Sequence, residues 1–453
     1  MADPHARARS LPLAPVAEPA LRQRPLDDVA RPVDRAWRPI YVVWEFTLRC
    51  DLACRHCGSR AGRARPDELS TEEALDVVRQ LAALGVPEVT LIGGEAYLRE
   101  DWTTVGRAIR DAGMELTMVT GGRGMTAERA RQAAQAGFQS ASVSFEGLEA
   151  THDRLRGIPG TFKSAMGALK NLQDAGVPVS ANTQISRAGA LEIEALTEVL
   201  MDAGIHSWQP SLTVPLGRAA DLPELILEPF QVLDVLPMLA RVARRMRERK
   251  VRFWPGNDVG YFGPYETLFR GMLPRGHMAS CGAGRAILGI EANGDLKGCL
   301  SLPSKAYVGG NVRDHSVQDI WERTRALRFT RDRTTEDLWG YCRECYYSDV
   351  CRSGCSMTCH VLAGRTGNNP FCHHRALEYL REGLRERLQR VAPASNEPFD
   401  HARFESYLEP WPEDELAQAR AVAASGEGWL DYTTRAQEGY TDTHEAPDGA
   451  AGS

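Results

Sequence analysis

Between residues 41 and 214 the chain repeats one rhythm: a short β-rich apolar run, then a stretch of helical periodicity, then a glycine. The runs 41–47, 88–92, 114–119, 139–145, 178–185 and 205–214 predict strands. Helices are predicted over 71–84, 101–112, 127–136, 163–175 and 191–203, the first opened by a capping box of Ser70 and Glu73. Gly85, Gly113, Gly137, Gly176 and Gly204 close them, because glycine enters the left-handed conformation of a helix end without a Cβ penalty. Strands joined by helical crossovers lie parallel. Six such units predict an α/β fold, a parallel sheet rolled into a partial (β/α)6 barrel, with its ligand site at the C-terminal ends of the strands.

The 453 residues exceed one compact domain. Residues 1–37, rich in Ala, Pro and Arg, read as an unstructured extension, and 38–220 as the barrel. The segment 221–280 reads as a connector, with a long amphipathic helix over 223–250 and then an aromatic, Gly/Pro-rich stretch around Trp254, Tyr261 and Tyr265. Residues 281–385 form a cysteine-rich α+β module and 386–453 an acidic tail. From Asn396 that tail carries 13 acidic residues against 3 Arg, and its end is expected to be disordered. A net charge of -6 without a basic run argues against nucleic acid as a partner. No apolar stretch approaches the roughly 20 residues needed to cross a bilayer. A soluble, cytoplasmic protein is expected.

Eleven cysteines without a secretion signal point to metal rather than disulfides. Cys50, Cys54 and Cys57 follow the first predicted strand, at the ligand end of the barrel. Three thiolates can bind three irons of a cubane and leave the fourth open to a ligand from outside the protein. A zinc site with His56 as fourth ligand is the alternative. The other eight cysteines lie between 281 and 372.

The spacing Cys50-x3-Cys54-x2-Cys57 resembles the signature of radical S-adenosylmethionine (SAM) enzymes. So do Gly93-Gly94-Glu95 at the second strand end, Ser144-Phe-Glu-Gly147, and His152-Asp-Arg-Leu-Arg156-Gly157. The resemblance implies a 4Fe-4S cluster on the three cysteines, and Gly93, Gly94 and Glu95 at the amino group of SAM. It places Ser144, Arg156 and Thr120 among the SAM contacts, and Leu212 and His56 beside the adenine. A guanidinium suits the SAM carboxylate through paired hydrogen bonds, which is the role expected of Arg156. Ala96, Thr120-Gly121-Gly122 and Glu146 depart from the family's usual Pro, Thr-Asn-Gly and Asp. The implied chemistry is reductive cleavage of SAM to a 5′-deoxyadenosyl radical that abstracts a substrate hydrogen.

Cys281-x12-Gly294-x4-Cys299, then Cys342-x2-Cys345-x5-Cys351-x3-Cys355, then Cys372, resembles the SPASM module. That resemblance implies two auxiliary 4Fe-4S clusters, one on Cys281, Cys299 and Cys355, the other on Cys342, Cys345, Cys351 and Cys372. Cys359, one helical turn beyond Cys355, is either a fourth ligand of the first or a spare thiol. A zinc ribbon is the alternative for the module. SPASM enzymes mostly act on ribosomally made peptides or proteins. A precursor peptide substrate is therefore expected, served by an electron donor such as flavodoxin or ferredoxin. Residues 1–37 show no helix-strand periodicity, so leader recognition falls to a separate protein, the module or the tail. Chemistry on a small molecule, such as a tetrapyrrole side chain, is the second expectation, and a non-catalytic metal-binding scaffold the third. Leu300, where sulfatase-maturing members carry an acid, weakens that activity. Asp258 and Asp295 are candidate bases, each expected rather to be a solvated turn residue.

Overall fold

A computed structural model describes residues 26–273 and 275–425. Its main sheet begins with β1 Tyr41–Thr47, β2 Glu88–Gly93, β3 Glu115–Thr120, β4 Ser140–Ser144, β5 Val179–Ile185 and β6 Ser207–Leu212, paired parallel in that order. The helix Ala127–Ala136 has the bounds its sequence predicts, and Thr71–Ala83 carries the Ser70–Glu73 capping box in both directions. All five predicted helix-ending glycines have positive φ, between 72° and 86°. Among the elements that escaped the sequence reading are a helix over Glu149–Arg156 and a strand, β7 Arg252–Phe253, beside β6.

Alternation along the strands separates two faces. Val42, Trp44, Phe46, Leu91, Met118, Val143 and Trp208 pack with helix residues such as Val77, Leu81 and Leu169 in one core. The opposite, inner face is polar: Thr90, Thr117, Ser142, Asn182, Gln184, Gln209 and Ser211. Thr90 Oγ1 lies 2.5 Å from Thr117 Oγ1 and donates to Tyr41 Oη at 3.0 Å, and Ser142 Oγ donates to Asn182 Oδ1 at 2.7 Å.

The cysteine-rich region joins this sheet. β8 Ile287–Ile290 pairs parallel with β1, and β9 Asp295–Lys297 and β10 Gly310–Asn311 extend the sheet beyond it. Where a separate module was expected, barrel and module therefore share hydrogen-bonded strands. Buried charges reinforce the seam. Arg65 bridges Glu45 of β1 and Glu291 at 3.0 and 2.8 Å, and the buried Lys297 ammonium reaches Glu291 at 2.8 Å.

Three expectations about the ends and the connector change. The predicted helix over 223–250 is regular only across Val232–Glu248. Before it lie 3-10 turns opened by Pro223 and Pro229, where proline supplies φ but no amide donor. The described part of the 1–37 extension folds: its short helix Pro32–Ala36 carries the buried Asp34, held by Arg328 at 2.8 Å and Arg331 at 3.1 Å. The acidic tail opens with a hairpin, β11 Leu384–Ala392 against β12 Arg403–Pro410, followed by a helix over Glu413–Ser425. The disorder expected at the end of the tail concerns 426–453, which lie outside the described residues, as do 1–25.

Candidate functional site

The loop after β1 carries Cys50, Cys54 and Cys57 over the C-terminal ends of the strands, and backbone bonds from distant segments hold its shape. Cys50 N donates to Gly62 O at 3.0 Å, Ala53 N to Arg156 O at 3.3 Å and Arg55 N to Leu155 O at 2.7 Å. Arg218 clamps the loop from its other side, its amide donating to Cys57 O at 3.0 Å and its guanidinium to Cys54 O at 2.6 Å and Ala61 O at 3.0 Å. The three sulfurs receive donors: Leu52 N to Cys50 Sγ at 3.4 Å, Arg156 Nη1 to Cys54 Sγ at 3.4 Å and Ala61 N to Cys57 Sγ at 3.3 Å.

Gly93-Gly94-Glu95 closes against the start of this loop. Gly94 N donates to Thr47 O at 2.7 Å and Glu95 N to Arg49 O at 2.8 Å. A Cβ on Gly94 would strike the Arg49 carbonyl, and one on Gly93 the Thr47 carbonyl. Glu95 is buried. One of its oxygens accepts from Thr120 Oγ1 at 2.5 Å and the other from Gly121 N at 2.6 Å. Thr120 thus grips Glu95 directly, and burial pushes the Glu95 carboxyl up to about 7. One oxygen of Glu95, one of Asp51 and Cys50 Sγ lie within 4.8 Å of one another.

Arg156 is anchored inside the site. Besides Cys54 it donates from Nη2 to Glu146 Oε1 at 2.6 Å, and only its Nε, fully buried, has no partner among the described residues. Glu146 also faces His56 Nε2 at 3.2 Å and accepts from Gln184 N at 3.1 Å. Glu146 stands where the family has Asp and contacts both Arg156 and His56. Burial alone would raise its carboxyl, but His56 and Arg156 outweigh this and hold it at about 2. His56 thus pairs with a carboxylate, and its Nδ1 is buried without a partner among the described residues. Ser144, partly exposed, ends β4. Leu212 is buried at the end of β6, and its amide donates to Asp258 Oδ2 at 2.7 Å. Asp258, expected in solvent, is buried, which pushes its carboxyl up to about 6; Asp295, expected in a solvated turn, is half-buried and opens β9, accepting from Asn311 Nδ2 at 2.9 Å.

The later cysteines fall into two groups. Cys281 perturbs both Cys299 and Cys355, and the backbone of Cys299 and Leu300 lies against the side of β8 that Gly289 leaves bare. Cys342, Cys345, Cys351 and Cys372 line one concavity of about 360 Å³, part of it open to solvent. Tyr261 stands between the groups: its hydroxyl accepts from Cys355 N at 2.9 Å and its carbonyl lies 3.8 Å from Cys372 Sγ. Cys359 has a backbone partner of its own. One helical turn after Cys355, its thiol donates to Ser353 O at 3.3 Å.

The donor sets fit iron–sulfur clusters. Burial first, and then Glu95, push the Cys50 thiol far up, and burial likewise raises Cys54, Cys299, Cys342 and Cys351. Such sulfurs become thiolates when a cationic core supplies the missing charge. Backbone amides already aim at them, among them Tyr347 N at Cys345 Sγ and Asn369 N at Cys342 Sγ, each at 3.4 Å.

A parallel barrel with a three-thiol loop at its strand ends and two further thiol groups beside it defines a class of multi-cluster iron–sulfur proteins. The Radical SAM superfamily profile matches residues 44–185, and that of the SPASM iron-sulfur cluster-binding domain matches 281–346. Mycofactocin maturase MftC of Mycobacterium tuberculosis is 30% identical over 345 residues, 74% of this chain and 83% of its own. The AdoMet-dependent heme synthase of Methanosarcina barkeri is 29% identical over 349 residues, 74% of this chain and 97% of its own. The crystal structure of Streptococcus suis SuiB bound to S-adenosylmethionine superposes with a TM-score of 0.57 at 18% identity, over 71% of this chain and 73% of that one. The chain belongs to the radical SAM superfamily and carries a SPASM domain, and its cofactors are 4Fe-4S clusters and SAM. Among the described residues no helix is long and apolar enough to cross a membrane.

Proposed function

We propose that this radical SAM enzyme modifies a side chain of a ribosomally made peptide or protein, and that Cys50, Cys54 and Cys57 hold the cluster that engages SAM. Bound there, the cluster and SAM supply reductive cleavage and a carbon radical for hydrogen abstraction. The chain's own residues do the positioning. Gly94 and Glu95 fix the loop to β2, Arg218 and Arg156 fix its far side, and the Glu146–Arg156–His56 group keeps the pocket wall charged and rigid. Cys281, Cys299 and Cys355 hold one auxiliary cluster, and Cys342, Cys345, Cys351 and Cys372 the other.

The polar inner face of the barrel carries the substrate reading. Seven hydroxyl and amide side chains from β2 to β6 suit a peptide, which brings a donor and an acceptor at every residue. A tetrapyrrole is broad, and its apolar ring system offers few partners to such side chains. The second reading, chemistry on a tetrapyrrole, draws on the heme synthase relative, which aligns over 97% of its length. Anaerobic co-expression with a short precursor peptide encoded beside the gene separates the two. A mass change in the peptide that disappears in Cys54→Ala supports the first reading. An unmodified peptide, with turnover of an iron porphyrin by the purified protein, overturns it.

A further inference from the structure

The second cysteine group is surrounded by buried donors that have nothing to donate to. Ser353 and Asn369 are 2% and 1% exposed, and Ser353 Oγ and Asn369 Nδ2 have no hydrogen-bond partner among the described residues. Both residues line the concavity formed by Cys342, Cys345, Cys351 and Cys372. The Asn369 amide is oriented by its neighbour: Phe371 N donates to Oδ1 at 3.0 Å, which leaves Nδ2 as the orphan. A buried donor without an acceptor costs about 1–3 kcal/mol, so two of them facing one cavity call for an acceptor inside it.

The backbone that presents Ser353 is costly as well. Arg352 and Ser353 have φ of 48° and 65°, two successive non-glycine residues in the left-handed region, and such strain persists only where the surroundings enforce it. Three contacts do so here. Arg352 Nη1 donates to Arg333 O at 2.6 Å, Gly354 packs on the Tyr261 ring so closely that it admits no Cβ, and the Cys359 thiol donates to Ser353 O.

We infer that Ser353 Oγ and Asn369 Nδ2 donate to the sulfurs of the cluster on Cys342, Cys345, Cys351 and Cys372, and that Cys359 is a positioning residue for Ser353 rather than a ligand. This rests on the cluster placement proposed above. Hydrogen bonds to cluster sulfurs favour the more negative, reduced form and so raise the reduction potential. The strained turn is maintained to tune this one cluster.

The test uses the full chain purified without oxygen, with iron analysis and a redox titration followed by electron paramagnetic resonance. Cys342→Ala should remove the iron of one cluster; if iron content does not change, the placement itself fails. With the placement secure, Ser353→Ala and Cys359→Ala should keep all their iron and move the midpoint of that same cluster to more negative potential, leaving the others in place. Cys359→Ser, which keeps a donor, should return the midpoint toward the wild-type value. An unchanged midpoint in Ser353→Ala, or loss of a cluster in Cys359→Ala, overturns the inference.

Discussion

Arg60 and Asp400 lie 340 positions apart in the chain and meet at 2.7 Å, Arg60 Nε donating to Asp400 Oδ1. Their neighbours tie the C-terminal segment to the cysteine loop: Phe399 N donates to Gly58 O at 3.2 Å and Gly217 N to Asp400 O at 2.7 Å. The Phe399 ring also lies 3.8 Å from the Lys297 ammonium at the seam between barrel and module. One short strap thus touches the Cys57 loop, the end of the barrel and the module. Asp400→Ala leaves the largely buried Arg60 with Asp221 and the Gly217 carbonyl and should lower stability by about 1–3 kcal/mol. A lower Tm with faster loss of iron to a chelator is the expected result.

Glu146 offers a pH-dependent test. Its folded pKa, about 2, lies below the unfolded value of 4.5, so its stabilisation is full above pH 4.5 and disappears as pH falls toward 2. Glu146→Gln leaves Arg156 buried without its carboxylate and should cost about 3–5 kcal/mol at neutral pH. Denaturation of the two proteins across acidic pH should show the gap closing as the wild type protonates.

Glu45 behaves in the opposite sense. Burial pushes its carboxyl up to about 7 from 4.5, so the folded state holds a proton that the unfolded state releases. Its contribution is full below pH 4.5 and is lost as pH rises to 7, by about 3 kcal/mol in all. Glu45→Gln lacks this loss. Its Tm relative to wild type should therefore rise between about pH 5 and about pH 8.

Gly94→Ala tests the close approach of β2 to the cysteine loop. The added methyl must displace the Arg49 carbonyl, one residue before Cys50. A shift of about 1 Å at a reacting centre costs about 100-fold in rate. SAM cleavage should fall by about that factor while far-ultraviolet circular dichroism stays unchanged.

Local signals were legible and long-range partners were not. The capping box at Ser70 and the helix-ending glycines act within one helical turn, so their meaning is complete in a short window of sequence. The pairing of Ile287–Ile290 with β1 is not, because a parallel neighbour leaves no mark on either strand beyond apolar residues. The tail read as acidic because its carboxylates outnumber its arginines, yet Asp400 is buried on an arginine that no spacing connects to it. Arg156 was visible as a basic residue at a motif position, but its partners Glu146 and Cys54 meet only when β4, the following helix and the cysteine loop converge. Asp258 looked like a turn residue beside Gly256 and Asn257, and the fold buried it under the end of β6.

The formation of 5′-deoxyadenosine from SAM by the anaerobically purified, chemically reduced protein tests the central claim most directly. The wild type should produce it, and Cys50→Ala, Cys54→Ala and Cys57→Ala should each abolish it while keeping the iron bound by the later cysteines. Undiminished 5′-deoxyadenosine from any of these three variants, or none from an iron-replete wild type, would contradict the account.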